Sequence, residues 1–129
     1  AGGKNVAPSA IEGVITTSKY ILQVCVIGDR RPYLTALLTL DQENVKEYAA
    51  ANGIAFSSFA ELQRDARIKA LIDAEVAAFN KEFATFEQVK KVAIVDEFTI
   101  ANDLVTPTLK PKRTPIQARH AAAIEAMYA

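Results

Sequence analysis

The chain has no tryptophan, and among its 129 residues there is one cysteine, one histidine and one methionine. A single cysteine, Cys25, excludes an internal disulfide and any thiolate metal cluster, and it is compatible with a reducing compartment. The one histidine, His120, falls on the apolar face of a C-terminal helical pattern, so neither a histidine-based triad nor a histidine-rich metal site is indicated. No excess charge of either sign is present: 15 Lys and Arg balance 15 Asp and Glu. That balance removes the broad attraction on which nucleic-acid binding depends, and nucleic acid is not expected as a partner. Long apolar runs are missing, as is a charged N-terminal region followed by an apolar stretch, so neither a spanning helix nor a signal peptide is visible. The reading is of a soluble, intracellular chain. There is no initiator methionine, and the opening Ala1-Gly2-Gly3-Lys4-Asn5 is turn chemistry, which suggests a cut edge.

What is present suits a folded domain. Half of the residues are hydrophobic and 23% are charged, and a chain of this length is expected to form one domain, residues 1–129, around a single core. Pro8 suits the first position of a helix over residues 8–17, with Ser9 and Glu12 at capping-box spacing. Residues 21–27 and 33–40 are rich in β-branched and aliphatic types and flank Gly28-Asp29-Arg30-Arg31-Pro32, which predicts a β-hairpin. The second strand is apolar on both faces except at Thr35 and Thr39, as expected of a strand covered by helices. Asp41 can cap a helix ending at Asn52-Gly53. Ile68, Leu71, Ile72, Val76, Phe79 and Phe83 recur at helical spacing and predict one long helix over residues 59–83. Residues 92–95 read as a third strand. Thr114-Pro115-Ile116-Gln117 predicts the capped start of a last helix carrying Ile116, His120, Ile124 and Met127 on one face. The expected fold class is α+β, a small three-stranded antiparallel or mixed sheet with a β-hairpin, packed against several helices.

Two segments invite a chemical reading beside a bland one. In Gly2-Gly3-Lys4-Asn5, paired glycines permit close backbone approach ahead of a helix N-terminus that favours negative charge; the alternative is plain linker. Thr106-Pro107-Thr108-Leu109-Lys110-Pro111-Lys112-Arg113 places three cations on a proline-stiffened loop that can hold a lysine at a phosphate, with the threonine hydroxyls orienting the backbone. Its alternative is a solvated basic loop. Elsewhere the readings are structural. Cys25 reads as a small buried hydrophobe, Arg30-Arg31 as solvated turn chemistry, and Phe79, Phe83 and Phe86 as core. Asp41, Glu43 and Glu47 have the spacing of a solvated helix face, and no acid and base pair of carboxylates stands out.

Taken together, the two segments resemble the adenylate-forming superfamily, in particular long-chain fatty-acid CoA ligases. Gly2-Gly3-Lys4-Asn5-Val6-Ala7-Pro8 followed by Ile11-Glu12 is similar to the segment just after that family's interdomain hinge. Thr106-Pro107-Thr108-Leu109-Lys110 with Arg113 is similar to its C-terminal lysine loop in the long-chain form. Residues 34–40 and 86–95 also resemble the branch, so the likeness covers nearly the whole chain. Two positions depart from it: Val105 stands where leucine is frequent, and Pro111 follows the lysine where an unrestricted apolar residue is common. The proline should stiffen the loop and push Lys110 towards extended geometry.

The resemblance implies the C-terminal lid of an enzyme that joins a fatty acid to AMP from ATP and then passes the acyl group to CoA. Lys110 would be its catalytic residue during adenylation, and Gly2, Gly3, Lys4 and Asn5 would line the channel for the pantetheine arm of CoA. ATP and Mg2+ would be bound mainly by the N-terminal adenylation domain of the full-length protein, the lid's main partner, and that part is absent from this chain. The chain alone is expected to be inactive. The resemblance is compatible with a cytoplasmic location, with or without peripheral membrane attachment of the full-length protein. Two rival readings remain: the C-terminal domain of a fatty acyl-AMP ligase that loads a carrier protein, and a free-standing, non-enzymatic binding domain.

Overall fold

The strand β2 (Leu34–Leu40) is buried at every position, so both of its faces must be covered and it takes the middle of the sheet. Along one side β1 (Ile21–Ile27) runs antiparallel, placing Cys25 opposite Leu37 and Ile27 opposite Thr35. Along the other, β3 (Val89–Ile94) runs parallel, with Val92 opposite Ala36 and Ile94 opposite Leu38. This computed structural model describes residues 5–129, and they form the expected α+β domain with a mixed sheet. Six α-helices complete the described residues: α1 (Pro8–Ile15), α2 (Gln42–Ala51), α3 (Phe59–Arg64), α4 (Ala66–Asn80), α5 (Arg113–Arg119) and α6 (Ala121–Tyr128).

The pleat of β2 divides the interior in two. Leu34, Ala36, Leu38 and Leu40 point to one face and pack with Ile11 and Ile15 of α1, Val45 and Ala49 of α2, Leu62 of α3, and Ile68, Ile72 and Val76 of α4. Leu37 points the other way, with Cys25 and Ile27, into a second cluster of Val95, Phe98, Leu104, Val105, Ile116, Ile124 and Met127. The expected single core is thus two apolar clusters, one on each face of the sheet, because the strand that divides them is apolar on both sides. Thr35 and Thr39 point towards the second cluster; their hydroxyls are bonded to Tyr128 Oη and Gln23 Oε1, at 3.1 and 3.0 Å.

At Gly28 in the hairpin turn an added Cβ would stand 2.2 Å from Leu34 Cδ2, so any side chain there would force Leu34 to move. Arg31 is not the solvated turn residue expected from sequence. Its guanidinium pairs with Glu125 of α6 and lies 4.5 Å from the centre of the Tyr128 ring, which closes the turn against the last helix.

Helix ends show where local signals succeed and fail. Asp41 caps α2 as expected, accepting from the Asn44 amide at 3.0 Å, and Gly53 follows the helix at φ +68°. The long helix over residues 59–83 is instead two helices. Asp65 leaves helical geometry at ψ 128° and turns its carboxylate to the Arg67 amide at 2.8 Å, capping α4, because an aspartate offers the backbone a local alternative to helix. The Ser9 and Glu12 capping box does not form: Ala7 starts α1, and Glu12 bonds elsewhere. Nor does Thr114 cap the last helix. Lys112 is the starting residue, Thr114 and Pro115 fall inside the first turn, and the helix breaks at His120 into α5 and α6.

Candidate functional site

Between β3 and α5 the chain runs without a helix or a long strand, so its backbone groups need partners from elsewhere. Gln23 of β1 supplies two of them: its amide donates to the Phe98 carbonyl and its oxygen accepts from the Phe98 amide, both at 2.8 Å. Thr99 and Asn102 bond reciprocally, side chain to backbone, at 2.8 and 3.0 Å. Asp103 turns the chain at φ 60°, and Leu104 and Val105 then anchor it in the second apolar cluster.

From this base rises a small hairpin. Val105 pairs with Pro111 as an antiparallel bridge, and the Lys112 amide donates to the Leu104 carbonyl at 2.9 Å. Nearer the tip, the Thr106 amide donates to the Lys110 carbonyl at 2.8 Å and the Leu109 amide to the Thr106 carbonyl at 2.8 Å, with Pro107 at the second position of the turn. Thr106 Oγ1 accepts from the Lys110 amide at 3.1 Å and lies 3.1 Å from Thr108 Oγ1, so the threonine hydroxyls bond within the loop as the sequence suggested. Leu109 closes the turn in left-handed geometry at φ 66°.

The three cations of this segment differ in their surroundings. Lys112 Nζ bonds Asp103 at 2.7 Å, and that ammonium holds the Asp103 carboxyl below the usual carboxylate range. Arg113 reaches Glu12 with both terminal nitrogens, at 2.6 and 2.7 Å, and bonding to that carboxylate holds the guanidinium firmly in its charged form. Lys110 is exposed and, among the described residues, has no carboxylate partner. A generic basic patch would treat the three alike. Here two cations are fixed to neighbouring acids, and one is presented on a backbone-bonded hairpin.

Of the residues read from sequence as lining a pantetheine channel, Gly2, Gly3 and Lys4 lie outside the described residues. Asn5 is exposed and opens a cleft of about 280 Å³ with Val26, Gly28, Asp29, Arg113 and Gln117. A second groove of about 270 Å³ carries Leu109 and Pro111 of the lysine hairpin beside Glu12, Gly13 and Leu22. Asn5 and the hairpin therefore border separate clefts, and the Glu12–Arg113 pair stands between them, one partner lining each.

The remaining candidates are structural. Cys25 is 1% exposed, and burial pushes its thiol up to about 11. His120 is half-buried at the α5–α6 break, its pKa lowered first by burial and then by Arg119. Phe79 and Phe83 pack against the first cluster, whereas Phe86 is exposed, contrary to expectation. Among the described residues no three His, Cys, Asp or Glu side chains are grouped to hold a metal ion, and no helix is long and apolar enough to cross a membrane. Sequence reasoning missed Gln23 and Glu12. A glutamine inside an apolar strand was the signal for the first; the second was mistaken for a cap.

The family described as AMP-binding enzyme C-terminal domain matches residues 1–129. The peroxisomal long chain acyl-CoA synthetase 7 of Arabidopsis thaliana is 37% identical over 133 residues, covering 100% of this chain and 19% of that protein. A long-chain-fatty-acid–CoA ligase of Mycobacterium tuberculosis is 36% identical over 130 residues, covering 99% and 22%. The chain thus spans about a fifth of the length of these curated relatives. In fold it is similar to the adenylation domain of the carboxylate reductase from Mycobacterium chelonae, with a TM-score of 0.77 at 24% identity, covering 99% of this chain and 18% of that one.

Proposed function

The chain belongs to the AMP-binding enzyme C-terminal domain family, and from that premise we propose that it is the lid of a long-chain fatty-acid CoA ligase. The longer protein joins a fatty-acid carboxylate to AMP, releasing pyrophosphate from ATP, and then transfers the acyl group to the CoA thiol with release of AMP. The observation that carries this reading is Lys110: an exposed ammonium without a carboxylate partner among the described residues, on a hairpin whose backbone is internally bonded. A cation held in that way needs little reorganisation to meet negative charge developing between a carboxylate and an α-phosphate.

Gly3, with Gly2, is assigned to the pantetheine channel, and Lys4 and Asn5 to contacts with CoA. Two clefts separated by one ion pair support a lid that presents a different surface in each half-reaction. ATP and Mg2+ are assigned mainly to the rest of the longer protein, and this chain alone is proposed to be inactive, because it spans only about a fifth of the length of its curated relatives. A cytoplasmic location is proposed for the longer protein, with or without peripheral membrane attachment, and fractionation of cells that express it tests this.

Half-reaction assays of the longer enzyme test the assignment. Lys110→Ala should slow adenylation by about a hundredfold or more, with thioester formation from supplied acyl-adenylate little changed. Lys110→Arg should not restore it, since a planar guanidinium does not replace a positioned ammonium. Lys112→Ala is the control, because that ammonium is already bonded to Asp103. Gly3→Leu should give the reverse pattern, suppressing only the thioester step. Equal losses from Lys110→Ala and Lys112→Ala would return the loop to a solvated basic patch. Transfer to a carrier protein in place of CoA would assign the longer enzyme to acyl-AMP ligation.

A further inference from the structure

We infer that the Glu12–Arg113 pair is a positioning device that sets the pitch of the Lys110 hairpin against the sheet, with Arg113 as a positioning residue for that lysine. Its catalytic consequence rests on the function proposed above; its geometric part does not.

The reasoning starts at the free edge of β1, which pairs with β2 on one side only. Val26 turns its amide and carbonyl to that open edge, and both are taken by this pair: the amide donates to Glu12 Oε2 at 2.7 Å, and the carbonyl accepts from Arg113 Nη1 at 3.3 Å. The same guanidinium grips the Glu12 carboxylate through two nitrogens. A two-point contact fixes orientation as well as distance, which a single lysine bond would not. Glu12 belongs to α1, Val26 to β1 and Arg113 to the first residue of α5, so three elements meet at one planar contact.

Lys110 lies three residues before Arg113 in the chain. The bonds that close the hairpin, Thr106 to Lys110 and Lys112 to Leu104, set its internal shape but not its angle to the sheet. Lys112 does not set that angle either, because its partner Asp103 belongs to the hairpin's own base. Leu104 and Val105 hold the incoming strand by apolar packing, which is not directional. On the outgoing strand the directional side-chain anchor to the sheet is Arg113. The pair also lies one helical turn from Pro8 and the segment that enters from Asn5, so the same contact borders both proposed catalytic surfaces.

Residual dipolar couplings of the backbone N–H vectors in the 129-residue chain test the geometric part, because they report the orientation of the hairpin relative to the sheet. In Arg113→Lys and Glu12→Gln the couplings of residues 106–110 should depart from the orientation they share with the sheet in the unmutated chain, with those of α2 and α4 unchanged. Couplings of residues 106–110 that keep that orientation in both variants overturn the inference. So does a change that extends to α4, which would mark a general structural bond. In the longer enzyme, Arg113→Lys should lower kcat of adenylation by about tenfold with KM for ATP preserved, and less severely than Lys110→Ala. A raised KM with unchanged kcat would overturn positioning in favour of substrate binding. If Lys110→Ala were itself harmless, the function proposed for the loop would fail while the orientation result stood, so the two failures are distinguishable.

Discussion

The two faces of the sheet are held by different balances of the same forces. Side-chain bonds to the sheet backbone occur on the helix-covered face too, from Asn80 of α4 to Val89 and from Glu12 of α1 to Val26, but regular helices make up most of it. On the face covered by α1 to α4, four helices bond their own backbones internally, and contact with Leu34, Ala36, Leu38 and Leu40 is apolar. On the other face the chain between β3 and α5 has almost no regular structure, and side chains take over: Gln23 at Phe98, Asn102 at Thr99, and Tyr128 Oη between the carbonyls of Ile27 and Tyr33. Apolar packing stabilises without fixing angles, whereas hydrogen bonds are directional. The hairpin that carries Lys110 rises from the face richer in directional bonds, which suits the role proposed for its ammonium.

The largest effect should come from the apolar face. Ile72→Ala removes a fully buried side chain facing β2 and should destabilise the domain by about 2–5 kcal/mol in denaturant titration. Its loss should be global, raising exchange in α2 and α4 together. Gln23→Ala should cost less, about 1–3 kcal/mol, because it leaves the amide and carbonyl of Phe98 without their partner. That loss should be local, with residues 96–104 exchanging faster while α2 and α4 keep their protection. If Gln23→Ala loosened α2 and α4 to the same extent, the contrast between the two faces would be broken.

The same contrast explains what the sequence made legible. The hairpin, the fully buried β2, the Asp41 cap and the Gly53 stop all rest on signals within a few residues, and each appears where expected. Failures occur where a polar side chain chose between a local and a distant partner. Asp65 took the local option and cut a helix whose apolar spacing runs straight through it. Glu12 took the distant one, 101 residues away in sequence, and no capping rule contains that information. For the candidate site, the loop and its lysine were legible as a motif. That Lys112 and Arg113 are fixed to Asp103 and Glu12 was not, because identical charges in sequence carry no record of their partners.

A smaller effect, dependent on pH, should appear where the last helix breaks. His120 has its pKa lowered by burial and then by Arg119, with Asp96 acting the other way. A folded pKa below the unfolded 6.5 means that stability is present above pH 6.5 and is lost as pH falls through the folded value. Thermal melts from pH 7.5 to 5 should therefore decline, and His120→Gln should flatten the decline. Exchange should identify α5 and α6 as the region that loosens. A decline equally steep in His120→Gln would assign it to other groups.

The smallest stability effect is expected at the tip of the hairpin, where Leu109 combines 66% exposure with φ 66°. Left-handed geometry costs a residue bearing a Cβ roughly 1–2 kcal/mol, a cost that Gly does not share. Leu109→Gly removes that strain, but it adds about 0.5–1 kcal/mol of unfolded-state entropy and removes a side chain that lines the groove together with Leu22. The opposing contributions nearly cancel, so the melt of the 129-residue chain should move by less than about 1 kcal/mol in either direction. If, in the lid role proposed above, the exposed Leu109 side chain meets the body of the longer enzyme when the lysine is presented, its loss should show in one half-reaction only. Leu109→Gly should then slow adenylation several-fold while thioester formation from supplied acyl-adenylate is preserved. A loss of more than about 2 kcal/mol would instead make Leu109 part of the apolar packing, and full activity in both half-reactions would leave its side chain no role beyond the turn.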